Sequence, residues 1–100
     1  MFIVIWEYQV NAEHLAQFKR IYASNGAWAE LFKKGKGYLG TELLCDKQDP
    51  CRFLTIDRWV SVEEYDAFIT KWHSEYQALD AKCEGLTEHE ALVGRWSSQE

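Results

Sequence analysis

Glu7 and Arg58 stand inside apolar, strand-like runs, Phe2-Ile3-Val4-Ile5-Trp6-Glu7 and Phe53-Leu54-Thr55-Ile56-Asp57-Arg58-Trp59. Side chains alternate between the faces of a strand, so Glu7 goes with Ile3 and Ile5, and Arg58 goes with Leu54 and Ile56. If the isoleucines face covering helices, both charges do as well. Neighbouring parallel first and third strands would then set Glu7 beside Arg58, with His89 or Ala91 of the last strand close to Glu7. Two readings follow. Glu7 acts as general base on an acidic phenol or enol while Arg58 stabilises the oxyanion, or the two form an ion pair that caps the core. An adjacent arginine lowers a carboxylate pKa and makes it a weaker base, which favours the ion pair.

Other groups bear on the same pocket. Tyr22, Trp28, Tyr65, Phe68 and Trp72 recur on apolar helical stripes, where they either line a cavity for a planar substrate or pack the core. His73 falls just after such a stripe and is either a proton carrier or a half-exposed surface residue. His14 lies in a first helical turn, in solvent. Asp57 shares its strand face with Thr55, and Glu42 is assigned to that same side, where both would hydrogen-bond a partner subunit. Tyr38, near Gly37 and Gly40, either orients a ligand or makes a cross-strand aromatic contact. Glu88-His89-Glu90 supports no metal site, because three consecutive strand residues cannot all face one ion. Cys45 and Cys51 flank a loop at a spacing that matches neither a zinc knuckle nor a redox Cys-x-x-Cys pair, so free thiols are expected. The chain has no phosphate-cradling glycine loop, nucleophile elbow or hydrolase triad.

The elements that must position these groups can be read in order. Residues 2–10 are apolar on both faces, as in a strand covered from both sides. Asn11 is the expected N-cap of a first helix carrying Leu15, Phe18, Ile21 and Tyr22. Ser24-Asn25-Gly26 interrupts it, and Trp28, Leu31 and Phe32 resume the period until Gly35 and Gly37 end it. Residues 37–44 and 53–59 form a hairpin about Asp46-Lys47-Gln48-Asp49-Pro50. Ser61-Val62-Glu63-Glu64 is a capping box that opens a second helical region, Gly85 closes it, and residues 87–96 make the last strand. The order β-α-β-β-α-β describes one α+β domain over residues 1–100, a ferredoxin-like split unit with a four-stranded antiparallel sheet and its helices on one face. Val4, Trp6, Tyr8, Phe53 and Trp59 would then point to the uncovered face, and a second copy of the chain must cover them.

Composition narrows the partners. Hydrophobic residues make up 47% of the chain, with five each of Trp, Tyr and Phe, enough to fill a core. A net charge of -5 without a basic run gives no footprint for nucleic acid. The apolar start lacks a basic leader and a cleavage site and is too short to span a bilayer, so it reads as a strand, with no membrane association. Three cysteines fit a reducing cytoplasm.

Three stretches, Trp6-Glu7-Tyr8-x-Val10, Gly37-Tyr38-Leu39-Gly40-Thr41-Glu42-Leu43 and Leu54-Thr55-Ile56-Asp57-Arg58-Trp59-x-Ser61 before an aromatic-rich helix, resemble the antibiotic biosynthesis monooxygenase family. The resemblance spans nearly the whole chain and implies a homodimeric α+β barrel. The superfamily contains monooxygenases that use no metal or flavin, haem-degrading oxygenases, isomerases and decarboxylases, and fold does not choose among them. The haem-degrading branch uses an asparagine on strand one, with a tryptophan and a histidine ten residues apart on the second helix. Glu7, Phe68 and Ala78 stand there instead, and His73 is offset by five residues, so no haem ligation is expected. The resemblance thus implies a cofactor-independent monooxygenase for a small aromatic or enolisable compound, with Glu7 as base, Arg58 as anion stabiliser and His73 or Tyr22 as accessory proton handlers. The alternatives are a non-catalytic ligand-binding or interaction domain and, further off, an isomerase or decarboxylase. An enzyme pocket should exceed roughly 300 Å³ and be reached by Glu7 or His73.

Overall fold

A computed structural model describes residues 1–99 and carries the expected element order. It runs β1 (Phe2–Val10), a 3-10 turn (Ala12–His14), α1 (Leu15–Tyr22), α2 (Ala27–Phe32), β2 (Tyr38–Cys45), β3 (Arg52–Trp59), α3 (Val62–Lys71), α4 (His73–Lys82) and β4 (Thr87–Ser97). Each helical region is broken in two, the first at Ser24-Asn25-Gly26 and the second at Trp72. The Ser61 hydroxyl caps α3 by accepting from the Glu64 amide at 3.2 Å. Gly85, at φ 87°, takes the left-handed conformation that lets the chain leave α4. Asn11 differs from the expected cap: its amide donates across the domain to the Gly85 carbonyl at 2.7 Å, tying the end of β1 to the start of β4.

The strands lie in the order β2-β3-β1-β4, and every neighbouring pair is antiparallel. The parallel pairing expected of strands one and three is therefore wrong. A helical crossover returns the chain parallel to β1 in β2, and the hairpin then reverses it in β3.

The two parities of β1 and β3 group as expected, but on opposite sides of the sheet. Phe2, Val4, Tyr8, Val10, Phe53 and Trp59 are buried beneath the helices, against Phe18, Tyr22, Trp28, Leu31, Phe32 and Phe68. Aromatic rings mesh across that layer, Tyr8 with Phe18 and Tyr22, Phe53 with Phe18, and Trp59 with Phe32 and Phe68, at centroid separations of 5.1–5.7 Å. Ile3, Ile5, Glu7, Leu54, Ile56 and Arg58 occupy the other, uncovered face. The bulkier set lies inside because a helix layer stands about 10 Å from the sheet, and large rings fill that gap.

A bulge at the start of β2 matters for the site. Tyr38 pairs with Trp59, but Gly40 pairs with Arg58, leaving Leu39 as an extra residue. Gly40 accommodates this at φ 143°, a conformation open to glycine and costly for other residues. Beyond the bulge β2 has switched parity: Thr41 faces the helices opposite Asp57, and Glu42 turns to the open face rather than joining Asp57. Gly40→Ala should strain this turn and destabilise the protein by about 1–3 kcal/mol in urea denaturation.

Candidate functional site

Between the helix face of the sheet and the helices lies a cavity of about 120 Å³. Trp6, Tyr8, Thr41, Thr55, Asp57 and Glu90 line it from the strands, and Tyr22, Trp28, Phe32, Tyr76 and Asp80 from the helices. Asp57, Thr41 and Thr55 are buried among these rings, 7%, 7% and 4% exposed.

Polar side chains on the floor form a directed chain. The Thr41 hydroxyl donates to Asp57 Oδ1 at 2.6 Å, so the Tyr38 hydroxyl, 2.5 Å from Thr41 Oγ1, must be the donor in that contact. Beside it, the Tyr8 hydroxyl and Thr55 Oγ1 bond each other at 3.0 Å. Among the described residues no lysine or arginine lines the cavity. Burial therefore governs Asp57 and raises its pKa to about 6, with Thr41 partly opposing the rise. Burial also pushes the hydroxyls of Tyr8, Tyr22 and Tyr76 well above their usual range, keeping them neutral. On the wall, the buried Trp28 indole N–H makes no aligned hydrogen bond among the described residues, although the Tyr22 hydroxyl approaches it. At the rim, burial and then repulsion from Asp80 raise the Glu90 carboxyl. The result is a carboxyl poised near neutrality within an aromatic box, with indole N–H and phenol O–H groups around it. Such a group can take a proton from an acidic phenol or enol.

Several residues singled out in the sequence lie elsewhere. Glu7 and Arg58 are not neighbours: in the antiparallel register Glu7 pairs with Leu54 and Arg58 with Ile3. Glu7 bonds Arg52, which also holds Asp46 at 2.9 Å, and Arg58 bonds Glu42. All these ion pairs lie on the open face, separated from the cavity by the sheet. His73 is exposed at the start of α4 and does not line the cavity. The cavity falls short of 300 Å³, and neither Glu7 nor His73 reaches it. Tyr22 and Trp28 do line it. Phe68 is core, and Trp72 packs against the core with Lys34 over its ring at 4.8 Å. Tyr65 belongs to a wider groove of about 430 Å³ with Val4, Ile69, Leu92 and Arg95, which shares Trp6 with the cavity. His89 borders a different depression of about 290 Å³ near Gly85. Asp57 was missed as a site residue because its parity was assigned to the outer face. The available signal was its place between Thr55 and Trp59 on the more aromatic side.

Among the described residues no group of acidic, cysteine or histidine side chains is arranged to hold a metal. Cys45, Cys51 and Cys83 are free thiols. No described helix is long and apolar enough to cross a membrane.

The chain is similar to known proteins at two levels. A family model described as antibiotic biosynthesis monooxygenase matches residues 1–80. No curated relative matches the sequence. Among solved structures, a Deinococcus radiodurans protein assigned to the antibiotic biosynthesis monooxygenases superposes with a TM-score of 0.77 at 20% identity, covering 100% of this chain and 94% of that one. A Nitrosomonas europaea protein of the same assignment gives 0.75 at 16% identity, with 100% of both chains covered. A variant of SnoaB, a cofactor-independent oxygenase from Streptomyces nogalater, gives 0.74 at 16% identity over 99% of this chain and 93% of its own. At these identities the likeness establishes the fold.

Proposed function

The chain belongs to the antibiotic biosynthesis monooxygenase family, and from that premise we propose that it is a cofactor-independent monooxygenase acting on a small aromatic or enolisable compound, with Asp57 as the base. The observation that carries this reading is the Asp57 carboxyl, buried on the cavity floor and raised to about 6 with no cation beside it. It is ionised at neutral pH yet basic enough to accept a proton. Glu7 instead pairs with Arg52 on the open face, away from the cavity.

Proton removal by Asp57 makes the substrate an electron-rich anion, and the indole N–H of Trp28 supplies a donor for its oxygen. The anion gives electrons to dioxygen and a carbon–oxygen bond forms. Loss of water from the resulting hydroperoxide leaves a carbonyl. For a phenol, a ring C–H ortho to the hydroxyl, or para where that position is free, becomes C=O; one oxygen atom stays in the quinone, the other departs as water, and the substrate supplies all four electrons. Thr41 and Tyr38 hold the carboxylate in position throughout.

The chain is further proposed to act as a homodimer through its open sheet face. Its free thiols suit a reducing cytoplasm.

Oxygen uptake with a panel of one-ring phenols tests the reaction. With labelled dioxygen, one labelled atom is expected in the product and one in water. Binding without uptake would replace this reading with the non-catalytic ligand-binding one, which the small cavity favours. Product formation without uptake would indicate an isomerase or decarboxylase.

A further inference from the structure

We propose that the cavity takes a single-ring phenol bearing a protonated amine, the ring lying among Tyr22, Trp28 and Tyr76 and the ammonium group at the rim between Asp80 and Glu90. This assignment rests on the cavity being the substrate site, as argued above, and adds the size and charge of what enters.

Size comes first. A cavity of about 150 Å³ holds one benzene ring, so about 120 Å³, open at its rim, takes at most one ring and no fused second. Trp6 lines both this cavity and the 430 Å³ groove.

Charge comes second. The lining carries three carboxyl groups, Asp57, Asp80 and Glu90, and no lysine or arginine among the described residues, with the neighbouring His89 offsetting part of the charge at Glu90. Asp80 repels Glu90 across the rim, and a bound cation would relieve that repulsion. The faces of Trp28 and Tyr76, whose centroids are 5.0 Å apart, also attract a cation entering past them. An anionic substrate meets three carboxyl groups instead, the more so once its phenol is deprotonated.

A third observation is independent of the acids. The Trp28 N–H is buried on a residue only 8% exposed, and the Tyr22 hydroxyl approaches it without completing an aligned hydrogen bond, so this donor can turn to a ligand oxygen. A phenol oxygen can accept from it.

Titration calorimetry at pH 7 with tyramine, 4-ethylphenol, 4-hydroxyphenylacetate and 2-naphthol tests the assignment, because the first three share a ring and differ mainly in charge. Tyramine is expected to bind at least about tenfold more tightly than 4-hydroxyphenylacetate, with 4-ethylphenol between them. The exposed pair Asp80→Asn and Glu90→Gln should reduce that ratio to about twofold. Against the parent, 2-naphthol should bind at least about tenfold more weakly than 4-ethylphenol, and Trp6→Ala should remove the difference. The proposal is overturned by equal or tighter binding of the anion, by an unchanged ratio in the double variant, by 2-naphthol matching 4-ethylphenol in the parent, or by no saturable binding of any probe. Oxygen is not part of this readout. Tyramine preference without turnover overturns the oxygenase reading alone, and turnover of the anion in preference to the amine overturns this one alone.

Discussion

Asp57→Asn is expected to lower kcat/KM for oxygen-dependent turnover by about 10²–10⁴-fold while making the protein more stable at pH 7.5. Asparagine keeps the shape and still accepts from the Thr41 hydroxyl, so the floor of the cavity stays in place. What it removes is a buried charge. The Asp57 pKa rises from 3.8 in an unfolded chain to about 6 in the folded protein. A carboxyl raised in this way favours folding most when protonated in both states, below about pH 4. As pH climbs from there to about 6, the unfolded chain releases its proton first and stability falls; above that window the cost is fully present, on the order of 3 kcal/mol. The groups facing Asp57 from β1, β2, α3 and α4 are the phenols Tyr8, Tyr38, Tyr65 and Tyr76, all raised and neutral throughout this range. Asp80 and Glu90 at the rim are common to parent and variant, so the difference between the two melting curves isolates Asp57. The variant should gain little at pH 4 and about 12–24 °C in Tm at pH 7.5. Parent activity should fall tenfold per pH unit below about 6. A variant that is both less stable and fully active would remove Asp57 from the mechanism.

Much of the fold was legible because local signals agreed with one another. Ser61 and Glu64 marked the start of α3, Gly85 marked the end of α4, and Ser24-Asn25-Gly26 broke the first helical region where the structure breaks it. Alternation sorted β1 and β3 into two correct sets of residues. What alternation lacks is a sign. It says that Ile5 and Glu7 share a face, and only the volume needed beneath the helices says which face that is. The aromatic set, Tyr8, Phe53 and Trp59, carried that information. The bulge at Gly40 was harder to read, since one added residue reverses every later side chain on β2. These two points account for the misplaced site. The wrong side carried Glu7 and Arg58 inward, and the unread bulge hid the contact between Thr41 and Asp57.

Ile5→Glu is expected to convert the proposed dimer into a monomer. Ile5 pairs with Ile56 at the centre of the sheet, with Gly94 on its other side. The same face carries Ile3, Leu54, Leu44 and the half-exposed Trp96, whose indole lies over Gly94. An apolar stripe of this kind, flanked by the Glu7–Arg52 and Arg58–Glu42 pairs, suits a copy of itself: charges of both signs at the margins can meet their opposites across a two-fold axis. A glutamate at position 5 would be buried without a partner and would face its own copy, a penalty of roughly 3 kcal/mol or more and therefore about a 100-fold weaker dimer. The folded protomer should tolerate it, because position 5 is only partly buried and lies across the sheet from the helix-packed core. Sedimentation at about 10 μM should then show a dimer for the parent and a monomer of unchanged circular dichroism for the variant. A parent that sediments as a monomer leaves the open face unclaimed. A variant that remains dimeric moves the interface to another surface, most directly to the groove between α3 and β4 where Arg95 lies over Phe2 and Tyr65.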